Sequence, residues 1–162
     1  MKSLLTLKHW QIFLIIWGIP LITMFIPLEN MSGTIIVILT LLMAVGLFLW
    51  IYSIGTILHE KLNKDIKLSS KIFKIHIWSI AIIIVLVSLS SYFKEFLTDY
   101  FGVIFFIVIY YLISVFIVLR YVSKLLATIE LGRLAGISDY LGYFFMFLFN
   151  PIGIWVLQPK IG

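Results

Sequence analysis

The stretch FMFLFNPIGIWVLQPKIG, residues 145–162, decides the fold. Asn150, Pro151 and Gly153 interrupt a run that is otherwise as apolar as the centre of a bilayer. The apolar element, residues 141–157, would measure about 25 Å as one straight helix. That is marginal for a hydrocarbon core about 30 Å thick. Two geometries follow. One is a short, kinked fifth span that leaves Lys160 outside. The other is a re-entrant segment that descends to Asn150-Pro151 and returns. Non-helical backbone at membrane depth is tolerated only where protein or water covers it, so other helices must pack on Pro151 and Gly153. Both geometries stay open, with the re-entrant one preferred.

The rest of the chain is equally apolar. Hydrophobic residues make up 63% and charged residues 12%, against the usual charged fraction of about a quarter. A soluble domain of 162 residues could not hide that much apolar surface. The sequence predicts an all-α integral membrane helical bundle forming a single polytopic domain, 1–162. Its four transmembrane helices cover about 10–28, 34–58, 75–93 and 101–119, followed by the C-terminal hydrophobic element 141–157. Pro20 should kink the first span. Lys2 and Lys8 precede that span as in a signal peptide, but the apolar run is too long for one and no small-x-small cleavage site follows. The first span is therefore expected to stay uncleaved.

Basic residues set the orientation. Lys2, Lys8, Lys61, Lys64, Lys67, Lys71, Lys74, Arg120, Lys124 and Arg133 share one side of a four-span chain, while the other side receives only Lys94. Cytoplasmic loops carry the excess of Lys and Arg. The expected location is the cell inner membrane, multi-pass, with the N-terminus cytoplasmic. The net charge of +5 is explained by this topology, so nucleic-acid binding is not expected. Trp10, Tyr52 and Trp78 near inner ends, with Tyr92 and Tyr100 near outer ends, form an interfacial belt. Tyr110 and Tyr111 fall mid-span, and their hydroxyls need partners on other helices.

Candidate chemistry is sparse. The chain has no cysteine, which removes disulfides, thiolate metal sites and iron–sulfur clusters. His9, His59 and His76 all sit at inner span ends and are weak metal or haem candidates. His59-Glu60 begins like H-E-x-x-H, but Asn63 occupies the second ligand position. No span carries an ionisable residue in its apolar body, which argues against a carboxylate-relay transporter. No G-x-S-x-G or P-loop is present. Glu130, Arg133 and Asp139 read as a solvated helix end with a Glu130–Arg133 pair. If the loop after His59 is helical, Lys64, Lys67, Lys71 and Lys74 fall on one face opposite Leu62, Ile66, Leu68, Ile72 and Phe73. Such a helix would lie on anionic lipid; otherwise the lysines only set topology.

Three stretches carry a resemblance: LKHWQIFL at 7–14, WIYSIG at 50–55 and SDYLGYFFMFLFNPIGIWVLQPKI at 138–161. Together they resemble a group of small, uncharacterised polytopic membrane proteins of Bacteroidota-type bacteria. The tail of that group reads like F-P-I-G-I-W-x-x-Q-P-[KR]-I-N. This chain has Gly162 where asparagine is usual and Tyr143 where glutamate often stands. The resemblance implies membrane location and adds no reaction.

With no catalytic constellation, the expected role is non-enzymatic and needs no cofactor. The first expectation is an accessory or interaction subunit, partnered by the bilayer and by another membrane protein or by itself. The alternatives are a permease-like oligomer for a small neutral or lipidic solute, and a membrane enzyme or haem protein using the histidines. The charge asymmetry makes one direct prediction. A cysteine replacing Asn30 should react with an impermeant thiol reagent added outside, and one replacing Asn63 should not. The opposite labelling pattern would invert the topology.

Overall fold

The computed structural model describes residues 6–23, 25, 32–90 and 101–161. Six helices are found there, and among the described residues no strand. They are α1 (His9–Thr23), α2 (Gly33–Glu60), α3 (Lys71–Ser90), α4 (Phe101–Leu131), α5 (Ile137–Leu148) and α6 (Asn150–Ile161). Three stretches, Gly33–Glu60, Lys71–Ser88 and Gly102–Leu131, are long and apolar enough to cross a membrane. The expected span at 10–28 corresponds to α1, of which 15 residues are described; positions 26–28 lie outside the described residues, as do 91–93 of the third expected span. α1 runs through Pro20 without ending. Proline removes only one helical donor, and the Thr23 hydroxyl takes up the Pro20 carbonyl at 2.8 Å.

The ends of the helices follow local chemistry. Ser32 caps α2 by accepting from the Ile35 N–H. α4 stops at Gly132, which adopts a left-handed φ of +65°, a conformation that suits glycine at a helix C-terminus. Gly136 precedes α5, and the Asp139 carboxylate reaches back to accept its N–H at 2.9 Å.

The loop between α2 and α3 is not a helix. Residues 61–70 form turns and irregular backbone, and α3 begins only at Lys71. Local side-chain bonds compete with the helical ladder here. Asn63 accepts from the Asp65 N–H at 3.2 Å, and Ser69 accepts from the Lys71 N–H at 3.4 Å. Leu62 and Leu68 turn back onto the core.

Packing is tight at one end of the bundle and loose at the other. The buried core draws on Trp50, Ile54 and Leu58 of α2, Phe73 and Ile77 of α3, and Val118, Val122 and Leu125 of α4. Contacts place the N-terminal residues, the α2–α3 loop and the α4–α5 connector at this same end, called here the basic end. His59 meets Tyr121 at 2.9 Å, the Phe73 ring stacks on Tyr121 at 4.7 Å, and the Leu7 carbonyl meets the tail. Gly55 is required where the Phe73 ring lies against α2, because a Cβ there would strike the ring. Toward the far end, residues such as Ile38, Val85, Val87, Phe105 and Phe106 are exposed. In a bilayer, that apolar surface is what lipid would cover.

α5 and α6 form an antiparallel hairpin bent at Phe149, whose N–H bonds the Phe145 carbonyl while its own carbonyl accepts from Ile152 and Gly153. The break falls one residue before the expected Asn150-Pro151. Those two residues open α6, where proline's missing N–H costs nothing. Both open ends of the hairpin lie at the basic end, because Lys160 reaches Glu130 at 3.2 Å. Gly153 packs directly on the Met146 carbonyl, and any Cβ at 153 would overlap that backbone oxygen. Gly142 of α5 has open space around it instead. Gly153→Ala should therefore destabilise by roughly 1–3 kcal/mol, outweighing the gain in helix propensity of about 1 kcal/mol. Gly142→Ala should be neutral or stabilising. Thermal unfolding in detergent measures both, and equal behaviour of the two would remove the close-packing account.

Candidate functional site

Because α2, α3 and α4 splay apart above their packed ends, a cavity of about 520 Å³ remains between them. Leu47, Ile80, Ile84, Val115 and Leu119 line its walls, and Phe147 and Asn150 bring the hairpin elbow to it. The volume falls in the usual range for small-ligand sites, about 300–1,000 Å³. Among the described residues, no charged one lines it. Its polar groups are the Thr40 and Ser88 hydroxyls, the Tyr111 hydroxyl and the Asn150 amide. Thr40 and Ser88 bond carbonyls of their own helices at 2.9 and 2.7 Å. Tyr111 makes no hydrogen bond among the described residues.

Two amides hold the hairpin in the bundle. The Trp17 indole N–H donates to Asn150 Oδ1 at 3.2 Å. The Trp50 indole N–H donates to Gln158 Oε1 at 2.9 Å, and Gln158 Nε2 donates to the Leu7 carbonyl at 2.9 Å. Trp50 and Gln158 are almost fully buried. Each bond crosses between helices far apart in sequence, so together they tie α6 to α1 and α2. Trp155 packs against the His9 ring, tilted by 50° with centroids 4.5 Å apart, and lies near Phe13.

At the basic end, Lys160 bonds Glu130 at 3.2 Å and the Tyr143 hydroxyl at 2.9 Å, and Tyr143 also donates to Glu130. These three residues close the hairpin onto the end of α4. Arg133 pairs with Asp139 at 3.0 Å, so the expected Glu130–Arg133 pair is replaced by two separate ones. The Gly136 N–H, and then the Arg133 guanidinium, hold the Asp139 carboxyl below its ordinary range. This depressed value means that the cap's contribution persists above the unfolded carboxylate range and is lost as pH falls through the lowered folded value.

The expected site residues fall as follows. The lysine face does not form: Lys64 and Lys67 sit in the irregular loop, whereas Lys71 and Lys74 lie on the first turn of α3, all four exposed. Lys64 and Lys67 do line one shallow recess with His59, Asn63 and Ser69. The histidines do not converge. His9 packs against Trp155, His59 bonds Tyr121, and His76 Nδ1 lies 2.9 Å from Ser114 Oγ. Among the described residues no group of three or more His, Cys, Asp or Glu side chains gathers. Tyr110 finds the partner its position demanded, donating to Ser79 of α3 at 3.1 Å.

Sequence reading missed Gln158, Trp50 and the cavity. A glutamine eight residues after a buried asparagine on a helix that must pack was the available signal for the first. Gln158→Leu would leave the buried Trp50 N–H without an acceptor, a loss of roughly 1–3 kcal/mol. Adding Trp50→Phe should recover part of it, a coupling that a double-mutant cycle in detergent unfolding would read; strictly additive losses would show the two side chains to be independent. No family model, no curated protein and no solved structure matches this chain.

Proposed function

We propose that this is a small multi-pass inner-membrane protein that binds a neutral, lipidic molecule in the cavity between α2, α3, α4 and the elbow, and that it acts without catalysis. The observation carrying the reading is the cavity itself. It has the volume of a ligand site, an apolar wall and no charge, and its floor is a built, clamped turn rather than a loose gap. Apolar pockets with a few convergent polar groups are the usual form of small-molecule sites. Of the roles weighed from sequence, this favours the lipidic-solute class. The packed core below the elbow, including Ile54, Phe73 and Val122, argues for holding a molecule over conducting one through.

The same proposal includes topology. The basic end faces the cytoplasm, by the positive-inside bias. α1 to α4 cross the bilayer, and α5–α6 enter from the cytoplasmic side and return. The pairing of Lys160 with Glu130 supports a C-terminus on the same side as the α4–α5 connector. Membership of the Bacteroidota-type group is proposed on the quoted motifs alone.

A tag placed after Gly162 should be protected from protease in right-side-out vesicles and cleaved in inverted ones; cleavage in right-side-out vesicles would establish a fifth crossing. For the ligand, native mass spectrometry of protein purified in mild detergent should show a bound neutral species of lipidic mass. Val115→Trp, which fills the cavity, should lose it. Protein without any bound neutral species, or with the same species retained in the filled variant, would overturn the binding role.

A further inference from the structure

We infer that the molecule held in the cavity carries a carbonyl-type hydrogen-bond acceptor and that the Asn150 amide recognises it. The inference rests on the binding role proposed above. Its chemistry begins with Trp17. An indole N–H can only donate, so the atom facing it at 3.2 Å must be the Asn150 oxygen. The orientation of the amide is thereby fixed, and its NH2 group is turned to other partners. Asn150 is 7% exposed and lines the cavity, and its NH2 makes no hydrogen bond among the described residues. The NH2 keeps some accessible surface, and an amide donor facing hydrocarbon rather than water is unfavourable unless an acceptor reaches it.

The surroundings narrow the class of acceptor. Pro151 has no N–H, and the N–H groups of Ile152 and Gly153 both bond the Phe149 carbonyl. The donors left over at the start of α6 therefore belong to Asn150. The Tyr111 hydroxyl lines the same cavity and offers a second donor. With no cation among the described lining residues, a phosphate or carboxylate would be stripped of water without a counter-charge from them. A neutral carbonyl needs none. The rest of the wall is aliphatic and aromatic, so the body of the ligand must be apolar. An acyl ester and a quinone both meet this description.

The test uses the purified full chain in detergent, with diphenylhexatriene fluorescence reporting occupancy of the cavity. A long-chain dialkyl ketone and the alkane of equal length compete for it. One neutral hydrogen bond predicts that the ketone displaces the fluorophore roughly tenfold better than the alkane. In Asn150→Leu the ketone's preference should fall to near unity, with alkane competition in the same variant as the reference for any change that loss of the Trp17 bond makes to the cavity itself. The ketone carbonyl stretch should shift to lower frequency on binding the unmodified protein and stay unshifted in the variant. A fatty-acid methyl ester and a short-tailed benzoquinone, run in the same competition, separate the two sources of such a carbonyl, and preference for either over the alkane supports the inference. Equal displacement by ketone and alkane in the unmodified protein overturns it and leaves apolar binding standing. This comparison needs no variant to fold. Absence of fluorophore binding, or of displacement by any competitor, overturns both.

Discussion

The bend at Phe149 depends on one contact, the bare Cα of Gly153 against the Met146 carbonyl. Any side chain at 153 would push α6 off α5 and open the hairpin. With the two helices in contact, the Phe149 and Gly153 N–H groups find carbonyls inside the elbow. The turn thus satisfies much of its own backbone, as apolar surroundings demand. Everything downstream uses this geometry. It directs Gln158 toward Trp50, Asn150 toward Trp17 and Lys160 toward Glu130, so that a short apolar tail is fastened at its elbow and at its end.

The packing gradient gives that fastening its purpose. At the basic end the helices approach closely, helped by glycine where bulk would intervene, as at Gly55 beneath Phe73, and at cavity level Gly46 lets α1 come close through Ile15. Small residues let helix backbones approach in just this way. Farther along, bulky Leu47, Ile80 and Val115 hold α2, α3 and α4 apart, and the elbow brings Phe147 and Asn150 into the space left over. One buried hydroxyl, Ser53 Oγ, has no partner among the described residues; nothing in the structure explains it.

Much of the architecture was legible in the sequence because apolar length and helix breakers are local signals. The long runs of α2, α3 and α4 announced themselves, and Asn150, Pro151 and Gly153 located the bend to within a residue. The α2–α3 loop stayed open between two readings. Its lysine and leucine spacing satisfies a helical period, yet periodicity says nothing of Asn63 and Ser69, whose short side chains bond nearby N–H groups and stop the helix from forming. The links of Trp50 to Gln158 and Trp17 to Asn150 span more than a hundred residues and leave no spacing to detect. A cavity is illegible for a different reason. It is where side chains fail to meet, and no motif encodes an absence.

The clasp between Leu7 and Gln158 joins residues 151 positions apart. That separation sets the timetable of biogenesis. A ribosome adding about 5–20 residues per second needs on the order of ten seconds between making the first helix and making its partner. Throughout that interval the Trp17 and Trp50 indoles and the Leu7 carbonyl lie in the nascent chain without the acceptors and donor that α6 supplies. α1 can meet α2 early, through Gly46, but its polar attachments wait for the tail. The bundle is therefore sealed by a helix translated after the five described before it, and its assembly is governed by when α6 arrives rather than by how fast any single helix forms.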